Sequence, residues 1–78
     1  MRQEVIERVM RCVEDTFDND SVVYADELTA ADVDGWDSLS NIRFMLELER
    51  EFALQFSVNQ WQSFANLGDL VDHIEASA

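Results

Sequence analysis

The chain has no lysine and no proline, and its 78 residues include one cysteine, one histidine and two glycines. Five arginines stand against seventeen acids, so the formal charge is −12. Phosphate backbones are bound by clustered cations, and their scarcity excludes a nucleic-acid partner. The same scarcity disfavours an anionic membrane surface. A lone Cys12 excludes an internal disulfide, and with a lone His73 it leaves no ligand set for zinc. No apolar run approaches the ~20 residues that span a bilayer. The first ten residues, MRQEVIERVM, lack the apolar stretch of a signal peptide, so the expected location is cytoplasmic. The length implies one domain over residues 1–78, small enough to hide only roughly 60% of its unfolded surface. A hydrophobic fraction of 47% is that of a globular chain, so the acidity does not imply disorder.

What is present is helical periodicity. Val5, Ile6, Val9, Met10, Val13 and Phe17 recur at i, i+3/i+4 and predict a helix over 3–17, its outer side carrying the acid-first pairs Glu4–Arg8 and Glu7–Arg11. A second helix is predicted over 38–52, apolar over more than half its circumference. Phe44, Leu48 and Phe52 read as core there, while Leu39, Ile42 and Leu46 recur on a flank. Burial of that whole set, Ile42 especially, is the alternative. Ser57 and Gln60 have capping-box spacing, and Phe56 and Trp61 the spacing of a hydrophobic staple, which predicts a short third helix over 57–64. Leu67, Leu70, Val71 and Ile74 predict a fourth over 67–76, with Asn66 as cap and Asp69 in its first turn. VVYA at 22–25 is the one strand-like run, too short and too isolated to found a sheet. The expected fold is all-α, a small four-helix bundle with a long first loop and a short third helix.

That first loop, 18–37, is longer than the ~2–8 residues usual between bundle helices. Asp18, Asp20, Asp26, Glu27, Asp32, Asp34 and Asp37 give it seven of the seventeen acids and no cation. Thr29 and Asp32, at capping-box spacing, predict a helical turn inside it. Calcium loops of the EF-hand kind need ligands at alternate positions and a glycine at the sixth. Starting at Asp18 the frame places Val22 and Val23 at those points, and starting at Asp32 it reaches Trp36 and Asp37, so both frames fail. No metal site is expected. Catalysis finds no constellation either: His73 reads as a polar surface position and Cys12, beside Val13, as a partly buried and inert thiol.

The junction at 34–39 reads Asp34-Gly35-Trp36-Asp37-Ser38-Leu39. Gly35 permits a sharp turn and Asp37 is a good N-cap, which puts Ser38 at the first helical position. A serine there holds its hydroxyl at the mouth of the helix, where backbone N–H groups and the positive dipole end favour a phosphate. A plain first-turn serine beside a cap is the competing reading.

Asp37-Ser38-Leu39, followed by Ile42, Met45, Leu46, Leu48, Glu49, Glu51 and Phe52, closely resembles the acyl carrier protein family, in which a D-S-L motif opens the second helix. The long first loop, the short third helix and the closing L-x-x-L-V-x-x-I, from Leu67 to Ile74, extend the likeness over nearly the whole chain. The resemblance implies a single acyl or peptidyl carrier domain, free-standing and monomeric, that is not an enzyme. Ser38 would be a phosphoprotein-type attachment point for 4′-phosphopantetheine, installed from coenzyme A by a phosphopantetheinyl transferase. The arm would hold an acyl or aminoacyl group as a thioester for a loading enzyme and for downstream synthase or transferase enzymes. Asp37, Leu39, Ile42, Arg43, Leu46 and Arg50 would form the partner-binding face. Arg43 and Arg50 stand where fatty-acid members usually carry acids, Trp61 where a small residue is common, and Trp36 is typical of some discrete carriers. These departures point to a specialised pathway: polyketide, nonribosomal peptide or D-alanyl-type aminoacyl transfer, among which the sequence does not choose.

Two rival classes share the composition. An acidic helical adaptor could bind a basic partner with no prosthetic group, steered by the net charge. A metal buffer built on loop carboxylates is the other. Only the carrier needs a hydroxyl at position 38.

Overall fold

The structure, a computed structural model, describes residues 2–18, 21–33 and 35–77. Asp20 and Asp34, two of the loop acids, lie outside the described residues. Four α-helices follow in order: α1 (Arg2–Phe17), α2 (Ser38–Phe52), α3 (Val58–Ser63) and α4 (Leu67–Ser77), with a 3-10 turn at Ala30–Asp32 between the first two. No described residue is in a strand, and VVYA runs as irregular chain. The predicted helices agree to about a residue at each end. α3 is shorter than expected because Ser57 and Phe64 are its caps rather than its members.

α1 packs against both α2 and α4. Val9 and Val13 of α1, Phe44 and Leu48 of α2, and Val71 and Ile74 of α4 are all fully buried. Each such side chain contributes roughly 1.5–3 kcal/mol by leaving water. Cys12 is more deeply placed than its sequence neighbours suggested, at 4% exposure. Burial pushes its thiol up to about 11, which keeps it protonated and unreactive at neutral pH.

The first connection is docked onto the start of α4. The N–H of Leu67 donates to the carbonyl of Leu28 at 2.9 Å and that of Gly68 to Asp26 at 2.8 Å, which satisfies two donors that a helix start leaves open. A Cβ at position 68 would stand 2.9 Å from the Asp26 carbonyl oxygen, so only glycine permits this approach. Arg2 bridges Asp26, at 2.6 Å, and Asp72, while the Tyr24 hydroxyl donates to the same Asp26 carboxylate. The Tyr24 and Arg2 hydrogen bonds hold the Asp26 carboxyl below its usual range. Burial, with the bond to Asp26, pushes the Tyr24 phenol up to about 12. In the 3-10 turn, Asp32 accepts from the Thr29 N–H at 3.0 Å and its hydroxyl at 3.1 Å, as the spacing of the two residues predicts.

The caps of α3 and α4 are those read from the sequence. Ser57 Oγ accepts from the Gln60 N–H at 3.1 Å and Gln60 Oε1 from the Ser57 N–H at 3.2 Å. Asn66 Oδ1 accepts from the Asp69 N–H at 2.9 Å. Phe56 and Trp61 meet with ring centroids 5.3 Å apart, the staple made real. His73 departs from its expected surface role. Its ring lies 5.7 Å from Phe56 and 5.4 Å from Phe64, half-buried, because Phe56 and Phe64 on either side of α3 both reach that side of α4.

Candidate functional site

The start of α2 is built from the junction inward. Gly35 takes φ +85°, the left-handed conformation that suits glycine, and turns the chain toward the helix. Asp37 is extended, and its carboxylate accepts from the Ser40 N–H at 2.8 Å. That backbone bond holds the Asp37 carboxyl below its usual range, so the cap is ionised at neutral pH. Trp36 anchors the turn from inside. Its ring stacks on Phe17 at 4.7 Å and meets Phe44 edge-on at 5.1 Å, and its indole N–H donates to Asn41 Oδ1 at 3.0 Å.

Ser38 is thereby fixed as the first residue of α2 and is exposed. It borders a surface depression of about 420 Å³ formed with Ala30, Trp36, Asp37 and Asn41. Ala30, Trp36 and Asn41 also line an adjoining cleft of about 230 Å³, whose further walls include Phe44, Trp61 and Phe64, with amides from Gln62 and Asn66. An exposed hydroxyl at a helix start, ahead of N–H groups and the positive dipole end, suits a phosphate ester. The residues present fit a phosphate-linked arm there.

The remaining predicted residues divide into two groups. Leu39, Ile42 and Leu46 are 69%, 51% and 51% exposed while Phe44 and Leu48 are fully buried, so the flank of α2 is open and the all-buried alternative does not hold. Arg43, Leu46 and Arg50 lie together on a different wall, along a groove between α1 and α2. Of the two acids that stand near these arginines in the chain, Glu47 and Glu51, only one pairs with them. Glu47 contacts Arg50, at 3.7 Å and with Arg50 83% exposed, and Glu51 is taken by Arg8 of α1 at 2.6 Å. Arg43 has no ion-pair partner among the described residues.

Asn41 and Gln62 carry no sequence signal of a role here, and Asn66 reads from sequence only as the cap of α4. Asn41 matters because it locks Trp36 across the helix cap. It stands four residues after Asp37, whose carbonyl accepts the Asn41 N–H at 2.9 Å. Nothing in the pattern announces that Gln62 and Asn66 face the cleft.

No solved structure matches the chain. The family model described as the phosphopantetheine attachment site matches residues 3–74 of the 78. The members of that family are acyl carriers and not catalysts, and they work with a phosphopantetheinyl transferase and acyl-handling enzymes. With a match over nearly its whole length and an all-helical fold, the chain belongs to the phosphopantetheine attachment site family and is a carrier of covalently attached 4′-phosphopantetheine.

Proposed function

We propose that Ser38 is the attachment point, and that the protein is a cytoplasmic, monomeric carrier in a specialised pathway. It takes an acyl or aminoacyl group from a loading enzyme and presents it to a downstream synthase or transferase. The pathway is of the polyketide, nonribosomal peptide or D-alanyl-transfer kind. The observation that carries this reading is the exposed Ser38 at the first position of α2, held by the Gly35–Trp36–Asp37 turn.

The bound arm supplies a terminal thiol for the thioester. The chain's own residues do the positioning. Asp37 pins the first turn through Ser40, and Trp36 fastens the approach to the core through Phe17, Phe44 and Asn41. Ser38 Oγ is accordingly offered to a transferase from a rigid support rather than from a mobile loop. Leu39, Ile42 and Leu46 provide exposed apolar contact beside it, and Arg43 and Arg50 add a charge pattern that disfavours enzymes built for an all-acidic helix.

The test is intact mass after co-expression with a broad-specificity phosphopantetheinyl transferase. The parent gains one arm. Ser38→Ala keeps the fold, since an exposed first-turn serine adds little packing, and gains nothing. A mass gain in Ser38→Ala removes the assignment, and no gain in the parent restores the adaptor without a prosthetic group.

A further inference from the structure

The groove between α1 and α2 holds about 200 Å³ and is lined by Asp15 and Thr16 of α1 and by Arg43, Leu46, Glu47 and Arg50 of α2. The arm and its junction leave it unused. Thr16 is 8% exposed, and its Oγ1 is buried with no hydrogen-bond partner among the described residues. A buried hydroxyl without a partner is costly, and a group that brings it an acceptor recovers that cost. Beside it stands Arg43, a cation with no ion pair among the described residues although the chain carries seventeen acids.

We propose that this groove is a socket for one acidic side chain of a partner protein. A carboxylate only accepts, which matches a donor set of one hydroxyl and one guanidinium fork. Threonine in a helix has two χ1 rotamers open to it, so the Thr16 hydroxyl can reorient to an acceptor that enters the groove it lines. Arg50 already leans on Glu47, so it shapes the rim while Arg43 makes the contact. Asp15, the carboxylate on the α1 wall, has no cation partner among the described residues and so limits the socket to a single negative charge. A polyanion would face Asp15 together with the −12 of the chain. Leu46 belongs both to the groove and to the exposed apolar row with Leu39 and Ile42, so a protein lying on that row reaches the socket without leaving it. The inference thus rests on the reading that the α2 flank meets partners, and it adds the chemistry of the partner residue.

The experiment is NMR titration of the intact protein, following the Thr16 methyl and the Arg43 Nε–H. The probes are the blocked tripeptide leucyl-glutamyl-leucine, its glutamine counterpart and inorganic phosphate at constant ionic strength. The glutamyl probe is expected to give saturable shifts at both groups, at least tenfold weaker with the glutaminyl probe and in Arg43→Gln. Thr16→Val, which keeps shape but removes the hydroxyl, weakens the glutamyl probe several-fold and raises the melting temperature of the free protein. No shift, equal shifts with the glutaminyl probe, tighter binding of phosphate, or a lower melting temperature in Thr16→Val overturns the socket. The titration needs neither Ser38 nor a loading enzyme. Its failure therefore leaves the carrier reading standing, and a failed Ser38 modification leaves the titration to be judged by itself.

Discussion

Two connecting stretches flank α2, and directed polar bonds hold one of them where rings hold the other, although both also pack on the core. The described part of the first connection is fastened by directed polar bonds: Leu67 and Gly68 amides to loop carbonyls, and Arg2 and Tyr24 to the Asp26 carboxylate. The stretch around α3 is fastened by rings: Phe56 and Phe64 touch each other and both Trp61 and His73, and Trp61 reaches Phe44 at 6.0 Å. The first connection buries Val33 and packs Val22, Tyr24, Leu28 and Trp36 against the core, but its acids stay in water, so directed bonds fix how it meets the start of α4. A six-residue helix cannot sustain itself by backbone bonds, so its placement depends on apolar volume. Both serve the site: the loop supplies the turn before Ser38, and α3 supplies the far wall of the adjoining cleft.

The contrast breaks most visibly at Phe56, which is 8% exposed and touches three other rings of the cluster. Phe56→Ala is expected to cost about 3–5 kcal/mol in urea unfolding. Hydrogen exchange should show the Trp61 amide, bonded to Ser57 at 3.0 Å, losing protection before those of Leu67 and Gly68. Loss in the opposite order would mean that the rings hold the loop as well.

Gly68→Ala is the converse experiment and a smaller one. Its Cβ meets backbone atoms of Asp26, which cannot rotate away, so the loop must shift. Overpacking of about 1–3 kcal/mol exceeds the helix-propensity gain of up to about 1 kcal/mol, and the net is a modest destabilisation. Here the Leu67 and Gly68 amides should exchange first while the α3 amides stay protected. A stabilised Gly68→Ala would show that the loop docks loosely.

The smallest effect is expected from Asp26→Asn, because Asp26 is largely exposed. Its folded pKa is depressed, so its contribution is present above the unfolded value of 3.8 and is lost as pH falls through the lower folded value. Melting temperatures of parent and variant should therefore differ at neutral pH and converge in strong acid. The variant should also titrate its single tyrosine below the parent's value of about 12, by phenolate absorbance. A difference that persists in acid would assign the lock to shape rather than charge.

Most of the site's frame is legible in the sequence. Asp37 as cap, Ser38 at the helix mouth, the Ser57–Gln60 box and the Phe56–Trp61 staple are local relations over one to five residues, and local relations follow from spacing. His73 reads as a surface position because spacing on its own helix sets it off the core face, while the rings that cover it come from residues 56 and 64. The absence of an ion pair at Arg43 among the described residues has a similar cause. Glu47 had two arginines in reach, and Glu51 was drawn to Arg8 on another helix.

The sequence by itself determined the four helices, the N-caps of the last three and the place of Ser38 at the mouth of α2. Each of these is decided by residues within a turn or two of one another. Only the tertiary structure decided that Gly68 exists for Asp26, that Trp36 locks onto Asn41 behind the cap, and that Thr16 faces Arg43 across a groove. The Gly68 and Thr16 relations join elements distant in the chain, and the Trp36 bond crosses a helix boundary. Such contacts are set by how the hydrophobic faces of α1, α2 and α4 close together, which a one-dimensional pattern does not contain.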